Sequence, residues 1–250
     1  MGKNKKQDII IPVLRSGSGW LAVEKPAGIS VHNDPGQDLC SIMVRKIAAN
    51  AKFAEEIAFN PESGLNPVHR LDKQTSGVIL LAWTPAIFRY FSAQFESGSV
   101  KKRYAAILHG ELKKPETPDG WGLWEWALCK EARGRRDPVG KGKKADARTR
   151  FRVLQHTPHY TLAECELLTG RKHQIRRHAR LAGHAVTGDT RYGTSRSVSF
   201  LKDRCHFDRL GLHAMSLTVT PPGAKDPVTI RSQGLPAEMQ RLLDNDRAAD

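Results

Sequence analysis

The densest group of chemically useful side chains in this sequence lies in the segment His69–Gly77, which reads HRLDKQTSG. Its one carboxylate is Asp72, and the apolar run Val78–Ala82 follows directly. A short apolar run of this kind predicts a buried central strand, and a loop that enters such a strand holds its side chains rigidly at the end of the sheet. Asp72 is therefore a candidate catalytic carboxylate. The alternative is that Asp72 only caps or ion-pairs beside the strand.

The order of residues in this segment excludes a protein kinase. A kinase catalytic loop reads His-Arg-Asp, whereas Leu71 separates Arg70 from Asp72 here. The sequence also has no Asp-Phe-Gly motif after the segment and no Gly-rich nucleotide loop before it. Asp72 is therefore not the aspartate of a kinase catalytic loop.

A second polar segment, Leu168–Arg180, carries five Lys or Arg and no acid. Thr169 is predicted to cap a helix whose apolar side carries Ile175 and Ala179. Arg171 would lie near the helix start, where the macrodipole opposes a cation, so it needs a compensating anion. The other basic side chains of the segment are either candidates for binding a polyanion or an exposed helix face: His173, Arg176, Arg177 and Arg180.

The charge of the chain favours a polyanionic partner. Forty Lys and Arg against 26 Asp and Glu leave a formal net charge of +14, as expected for a protein that binds nucleic acid. Ten of the cations fall in residues 130–152 among interspersed glycines, which predicts a flexible basic insertion. Lys141, Lys143 and Lys144 would contact phosphates there; the alternative is a solvated loop with no partner.

The remaining polar residues give no sign of a metal or of secretion. Ten His and four Cys are present without zinc or disulfide spacing, so we expect neither a metal nor a cofactor, and reduced thiols. No apolar run near the start is long enough for a signal peptide or a membrane span, which predicts a cytoplasmic protein. Residues 1–8 are predicted to be a basic tail, followed by one domain over 9–250.

Several elements must position these polar segments. Patterning predicts strands at 20–23, 78–82, 104–108, 163–167, 215–219 and 228–230. It also predicts a helix over 38–50, a helix that Thr84 caps and Pro85 begins, and a closing helix from Pro236. Strands and helices alternate irregularly and no internal repeat is present, so the class is α+β.

Taken together, these segments resemble the RluA family of pseudouridine synthases over about residues 20–230. His69–Gly77 matches the family block H-R-L-D-x-x-T-S-G, and Gly170–Arg176 matches G-R-x-H-Q-I-R. Shorter blocks agree at Glu24–His32, at Lys102–Tyr104 and at Leu212–Ala214. Several motifs in the right order make the resemblance far more specific than any one of them.

The resemblance implies a fold and roles for residues. The expected fold is a central mixed, mostly antiparallel sheet flanked by helices and loops, without a cofactor and without the S4 domain that many relatives carry. Asp72 is implied to be the catalytic carboxylate, Tyr104 the active-site tyrosine and Arg171 the partner of Asp72. Arg70 is implied to help displace the target nucleotide, with His69 beside it among the RNA-binding residues.

The chemistry of the residues agrees with that implied activity. Pseudouridine formation breaks the N1–C1′ bond of uridine and rejoins the base through C5, and one carboxylate can stabilise the positive charge that develops at C1′. Tyr104 could stack on the uracil and relay the C5 proton. Two alternatives stay open: a non-catalytic RNA-binding or assembly protein, and a nucleosidase or glycosidase that uses Asp72.

The expected partner is a structured RNA, either transfer RNA or ribosomal RNA. We expect a monomer that requires no protein partner. The stretch Arg171–His178 is similar to a transfer-RNA branch of the family that reads R-K-H-Q-[LI]-R-R-H. Ribosomal RNA is nearly as well supported.

Overall fold

A computed structural model describes residues 9–247; the basic tail predicted for residues 1–8 lies outside them. The strands are β1 Val13–Gly17, β2 Trp20–Lys25, β3 Asn66–Pro67, β4 Ser76–Ala82, β5 Lys101–His109, β6 Gly122–Trp124, β7 Leu128–Cys129, β8 Lys144–Ala145, β9 Thr149–His156, β10 Tyr160–Leu167, β11 Leu212–Val219 and β12 Val228–Arg231. The helices are α1 Leu39–Ala48, α2 Ala51–Glu56, α3 Pro85–Glu96, α4 Gln174–Leu181, α5 Ser195–Cys205 and α6 Ala237–Asp244.

Ten strands form one sheet in the order β1-β2-β4-β11-β5-β10-β9-β6, with β12 paired to β11 and β3 paired to β4. Only β4 and β11 run parallel; every other pair in the sheet is antiparallel. The expected mixed, mostly antiparallel sheet of an α+β fold is therefore confirmed.

Strand β4 is buried at all seven positions because helices cover both faces of the sheet. Ile79 and Leu81 pack in a core with α1 and α4, whereas Val78 and Leu80 face the opposite core with Phe91 of α3. Helices α5 and α6 cover the same face as α3, further along the sheet. A strand that is buried on both faces has a continuous apolar sequence. The apolar run Val78–Ala82 therefore predicted β4 correctly.

The start of α3 follows the expected capping chemistry. The Thr84 side chain accepts a hydrogen bond from the Ile87 amide at 3.2 Å, and Pro85 takes the first helical position. These two residues hold the helix directly after β4, so the chain turns from the sheet into a covering helix without an unsatisfied amide.

The start of α4 differs from the prediction. The helix begins at Gln174 and not after Thr169, and His173 precedes it in a left-handed conformation with φ 55°. Thr169 instead accepts from the Arg148 amide and donates to Gln174 Oε1 at 2.7 Å. The loop before α4 is therefore four residues longer than the capping pattern predicts.

Candidate active site

Asp72 lies at the end of the loop that enters β4, and its side chain is 27% exposed. Arg176 of α4 donates from Nη1 to Asp72 Oδ2 at 2.9 Å. The same guanidinium donates from Nε and Nη2 to the two oxygens of Asp189, each at 2.8 Å. One buried arginine therefore holds two carboxylates, and the fork with Asp189 fixes the direction in which Nη1 meets Asp72.

This geometry corrects the predicted pairing of Asp72 with Arg171. Arg171 is exposed, and its Nε donates to the Asp146 carbonyl at 2.9 Å. Because α4 starts at Gln174, Arg176 and not Arg171 lies on the side of the helix that faces Asp72, and Arg176 is only 7% exposed. Arg171 still lines the same cavity as Asp72, so it faces the site without pairing with the carboxylate.

Gln174 fixes the loop that carries Arg171 and His173. Its Oε1 accepts from the Arg171 amide at 2.9 Å, and its Nε2 donates to the Arg148 carbonyl and to Thr149 Oγ1. Gln174 is 3% exposed, so these bonds form where water does not compete with them. The glutamine of the G-R-x-H-Q-I-R block is therefore a structural support for the site.

His173 stands on the other side of the Asp72 carboxylate from Arg176. Its Nε2 lies 3.6 Å from Asp72 Oδ1, and its Nδ1 lies 2.9 Å from the Tyr192 hydroxyl. Burial lowers the pKa of His173 to about 4, against the opposing effect of the Asp72 charge. At neutral pH, His173 is therefore a neutral neighbour of Asp72 and Arg176 is the cation that balances its charge.

Tyr104 of β5 and Asp72 line the same small cavity of about 80 Å³. Apolar side chains of Leu167, Ile175 and Leu212 complete its wall. Burial, and secondly the charge of Asp72, raise the pKa of Tyr104. The phenol therefore keeps its proton, which suits it to present a flat ring and an O–H donor to a ligand beside Asp72.

Lys25 supports the Asp72 loop from behind. It is fully buried, and its Nζ donates to the carbonyls of Pro26, Ile29 and Lys73 at 2.7 to 3.1 Å. Burial lowers the pKa of Lys25 to about 7, with the Asp72 charge opposing the shift. Three acceptors match the three N–H donors of the ammonium form, so Lys25 ties the turn after β2 to the residue that follows Asp72.

A second buried network lies where β4 meets β11. His213 Nδ1 is 2.8 Å from Ser76 Oγ, and His213 Nε2 is 2.7 Å from Ser232 Oγ, which donates to Glu24 at 2.6 Å. Burial, and secondly the charge of Arg209, lower the pKa of His213 to about 4. The network joins the end of the Asp72 loop to β2, β11 and the segment after β12.

The small cavity is continuous with a cleft of about 950 Å³, because Asp72 and Arg70 line both. The cleft wall holds eight Lys or Arg side chains and two carboxylates. The eight cations are Arg70, Lys73, Lys130, Lys143, Lys144, Arg171, Lys172 and Arg176. Ser30 Oγ and His32 Nδ1, which also line the cleft, are buried and have no hydrogen-bond partner among residues 9–247. Such a cleft fits a polyanion with further polar groups.

Two of the predicted RNA-binding residues face away from this cleft. His69 accepts from the Leu80 amide at 3.1 Å and stacks on Phe95 of α3, so its ring is used within the fold. Arg177 is 1% exposed, and its donors are taken up by backbone carbonyls. Both predictions are corrected, since neither side chain can reach RNA without leaving its partners.

The remaining predicted residues are spread around the cleft. Lys143 and Lys144 line it, whereas Lys141 is exposed outside the lining. Arg180, on the last turn of α4, is half-buried and outside the lining as well. The cleft therefore supports a contact role for Lys143 and Lys144 more directly than for Lys141 and Arg180.

The basic insertion is organised, in contrast to the predicted flexible loop. Residues 149–152 belong to β9 of the main sheet, and β7 pairs with β8 across the rest of the insertion. Within its turn, the Gly140 amide donates to Asp137 Oδ1 at 2.9 Å and the Cys129 amide donates to the Val139 carbonyl. The insertion is therefore an ordered part of the fold, and it contributes Lys130, Lys143 and Lys144 to the cleft wall.

Sequence reasoning missed Asp189 and Lys25. The sequence did contain a signal for Asp189. It is the first carboxylate after Glu166, and the Lys and Arg residues between these two positions need an acidic partner. Lys25 gave no comparable signal, because a Lys beside a turn is ordinarily exposed.

Within residues 9–247, no three His, Cys, Asp or Glu side chains come together as a metal site requires, and no helix there is long and apolar enough to cross a membrane.

Comparison with known proteins gives this site a family. The model of the RNA pseudouridylate synthase family matches residues 19–181. The chain belongs to that family. The resemblance to the RluA type is thereby confirmed, and with it the activity of an isomerase that acts on uridine in RNA.

Individual relatives agree with this assignment. Ribosomal large subunit pseudouridine synthase C of Vibrio vulnificus is 31% identical over 92% of this chain and 67% of its own length. A tRNA pseudouridine synthase C of Pectobacterium carotovorum is 30% identical over 91% of this chain and 60% of its own length. The structure of human RNA pseudouridylate synthase domain containing 1 has a TM-score of 0.70 at 22% identity, covering 93% of this chain and 86% of that one. That structure confirms the fold.

Proposed function

We propose that Asp72 is the carboxylate that meets C1′ of the target uridine. The observation that carries this proposal is the ion pair at 2.9 Å between Asp72 and a buried Arg176, beside a cavity that Tyr104 also lines. The buried guanidinium holds the carboxylate in one orientation through a charge-assisted hydrogen bond. An ionised carboxylate can stabilise or trap the positive charge that develops as a glycosidic bond breaks.

Tyr104 is proposed to hold the detached base. The reaction breaks N1–C1′ and forms C5–C1′, while C5 loses a proton and N1 gains one, so the base is neither oxidised nor reduced. A tyrosine ring can stack on the uracil as it turns between the two bonds. Because burial and the Asp72 charge raise the pKa of Tyr104, its hydroxyl is protonated before the substrate binds and can donate a hydrogen bond to the base.

The cationic cleft is proposed to hold the RNA around an extruded uridine. Asp72 lies in the small inner cavity, so the nucleotide must leave its stack at a cost of about a few kcal/mol. Phosphate contacts from Arg70, Lys143 and Lys144 can offset that cost. Arg70 lines both cavities and is exposed, which supports its proposed contact with the extruded nucleotide.

The RNA is proposed to be a structured ribosomal or transfer RNA, the two classes in the names of the relatives. Mapping pseudouridine in total RNA from cells with and without the gene identifies it by the position that is lost. The monomeric state and the cytoplasmic location stay predictions, which gel filtration and fractionation of those cells test.

Replacing the carboxylate tests the central proposal. Asp72→Asn keeps the size of the side chain but removes the charge, so pseudouridine formation should fall below detection while RNA affinity stays within about twofold. Turnover would be measured by release of label from C5 of uridine, and affinity by filter binding. An Asp72→Asn protein that still turns over at the wild-type rate contradicts the proposal.

The fate of the base separates this isomerase from a nucleosidase that uses the same carboxylate. An isomerase should leave no free uracil during turnover, because the base rejoins the sugar that it left. Chromatography of the small-molecule fraction after complete modification would show this. Free uracil in an amount equal to the uridine consumed would favour the nucleosidase.

The slope of RNA affinity against salt tests the contacts of the cleft. Lys143→Ala and Lys144→Ala should each lower the slope of log K against log salt by about 0.7 to 0.9, the share of one phosphate contact. Lys141→Ala is the matched control, since Lys141 lies outside the cleft lining. Equal slopes for all three variants would remove the two lysines from the RNA contact surface.

A further inference from the structure

Arg177 is a buried cation whose partners are all backbone carbonyls. It is 1% exposed and donates from Nε to the Pro138 carbonyl and from Nη2 to the Val139 carbonyl, each at 2.6 Å. Its Nη1 donates to the Cys129 carbonyl at 3.0 Å and to the Lys172 carbonyl at 3.2 Å. Within residues 9–247, no carboxylate forms an ion pair with it.

These four acceptors come from two separate segments of the chain. Pro138 and Val139 belong to the basic insertion and Cys129 directly precedes it, whereas Lys172 belongs to the loop before α4, next to His173. The insertion supplies Lys130, Lys143 and Lys144 to the cleft, and the loop supplies Arg171 and Lys172. Arg177 therefore binds both cationic segments to one point on α4.

The cost of burying Arg177 shows that this contact is specific. A buried cation is unfavourable unless it is fully hydrogen-bonded, and charge-assisted bonds of about 2.6 Å are at the short end of the range. Peptide carbonyls have no net charge to neutralise the guanidinium. Burial of the side chain therefore attaches two carbonyls of the insertion, and the carbonyl of Cys129 directly before it, to α4.

Arg177 also has a neighbour with a complementary task. Arg176 points from α4 to Asp72 and Asp189, while Arg177 points to the insertion. Two successive residues on one short helix therefore hold the reacting carboxylate and the RNA-facing wall. Because α4 is rigid, it fixes the distance between the basic insertion and the Asp72 carboxylate. The insertion is then ordered in the free protein, and RNA binding does not carry the entropic cost of ordering it.

We propose that Arg177 is a positioning residue that holds the basic insertion as a preformed wall of the RNA cleft. The proposal rests on the proposed function of the cleft as the RNA site. Arg177 itself does not touch RNA, because its donors already bind the carbonyls of the insertion and of Lys172. Arg177 affects the reaction by positioning the lysines of the insertion that line the cleft, Lys130, Lys143 and Lys144.

Two variants of Arg177 and one control test this proposal. Arg177→Gln removes the charge and most donors, whereas Arg177→Lys keeps the charge but cannot fork across several carbonyls. Arg180→Gln is the control, since it removes the same charge from the same helix and the Arg180 side chain makes no hydrogen bond or ion pair among the described residues. Melting temperature and circular dichroism establish that each variant is folded.

Hydrogen exchange without RNA is the first readout. In both Arg177 variants, amides of residues 129–140 should exchange at least about tenfold faster, while amides of β4 and β5 keep their protection. Arg180→Gln should exchange like the wild type. Unchanged exchange in residues 129–140, or faster exchange throughout the sheet, would overturn the positioning role whatever the cleft binds.

Steady-state kinetics with the RNA substrate is the second readout. KM for Arg177→Lys should rise about tenfold over that of Arg180→Gln, equivalent to about 1.4 kcal/mol, while kcat falls by less than about twofold. A fall in kcat with KM unchanged would overturn the proposal. Amide exchange in residues 129–140 could be faster in the Arg177 variants while Lys143→Ala and Lys144→Ala still bind RNA like the wild type. In that case the proposed role of the cleft in RNA binding fails, and the anchoring of the insertion by Arg177 stands.

Discussion

At the scale of single residues, the Arg176 guanidinium is shared between Asp189 and Asp72, the carboxylate proposed to react. Asp189 is 1% exposed and receives two bonds, whereas Asp72 is partly exposed and receives one. The buried pair sets the plane of the guanidinium, and the third bond then points at the Asp72 carboxylate. The Asp72 carboxylate is thus oriented by a bond that does not depend on the substrate.

Arg176→Lys tests this arrangement. An ammonium keeps the positive charge but cannot bind two carboxylates in fixed directions. A lost charge-assisted bond is worth about 1.5 to 3 kcal/mol, so single-turnover rates at saturating RNA should fall about 10- to 100-fold. RNA affinity should stay within about twofold of the wild type.

Arg180→Lys, on the same helix, is the control and should keep the wild-type rate. A wild-type rate for Arg176→Lys would show that charge alone suffices beside Asp72. It would also remove the directional role of Asp189.

The motifs alone identified Asp72 and Tyr104, and the structure places both side chains on one cavity. The choice between Arg171 and Arg176 could not be made from sequence, because it depends on where α4 begins. That start is set by His173 in a left-handed conformation, and by the bonds of Gln174 to Thr169 and to the Arg171 amide. Capping statistics favour Thr169, but they do not include these contacts.

At the scale of elements, the site depends on the parallel contact between β4 and β11. Gly77 pairs with Ala214, and Gly77 has φ 111°. A Cβ there would overlap the backbone of Ala214. The glycine that ends the H-R-L-D-x-x-T-S-G block is therefore required by the close approach of a neighbouring strand.

Gly77→Ala and Gly142→Ala separate the two costs of this glycine. Gly142 has φ 108°, but a Cβ there meets no atom within 4 Å. Gly142→Ala should therefore lower the free energy of unfolding by backbone strain alone, about 1 to 3 kcal/mol. Gly77→Ala should lower it by about 1 to 3 kcal/mol more, the cost of overpacking. Urea unfolding measures both, and equal losses would mean that the two strands can move apart freely.

The sequence predicted most elements of the sheet because their patterns are local. Burial on both faces marks β4, and Thr84 with Pro85 marks the start of α3. The basic insertion was not predictable in the same way. Glycines and charges indicate a flexible loop, but the carbonyl contacts of Arg177 come from a helix more than 30 residues away in sequence.

At the scale of the whole molecule, buried neutral histidines make the fold sensitive to acid. Burial lowers the pKa of His69 to about 3, and of His173 and His213 to about 4, each from an ordinary value of 6.5. Below pH 6.5 the unfolded chain takes up these protons and the folded chain does not. Their contribution to stability is therefore complete above pH 6.5 and is lost as the pH falls toward 4.

The free energy of unfolding should accordingly fall between pH 7 and pH 5, by up to about 1.4 kcal/mol per pH unit for each such histidine. In His213→Gln this decline should be shallower, because one of the three groups no longer titrates. Urea unfolding at pH 7, 6 and 5 gives the two slopes, which can be compared even if the variant is less stable at every pH. Parallel slopes would show that His213 is already protonated in the folded protein.

The order of strands in the sheet also differs from their order along the chain. Strand β11 lies between β4 and β5, although more than 100 residues separate it from β5 in sequence. Leu212, at its start, lines the Asp72 cavity. Until β11 has left the ribosome, the strand that follows the Asp72 loop and the strand that carries Tyr104 are not joined to each other. We expect such a nascent chain to be inactive, with the inner edges of its two half-sheets open to chaperones.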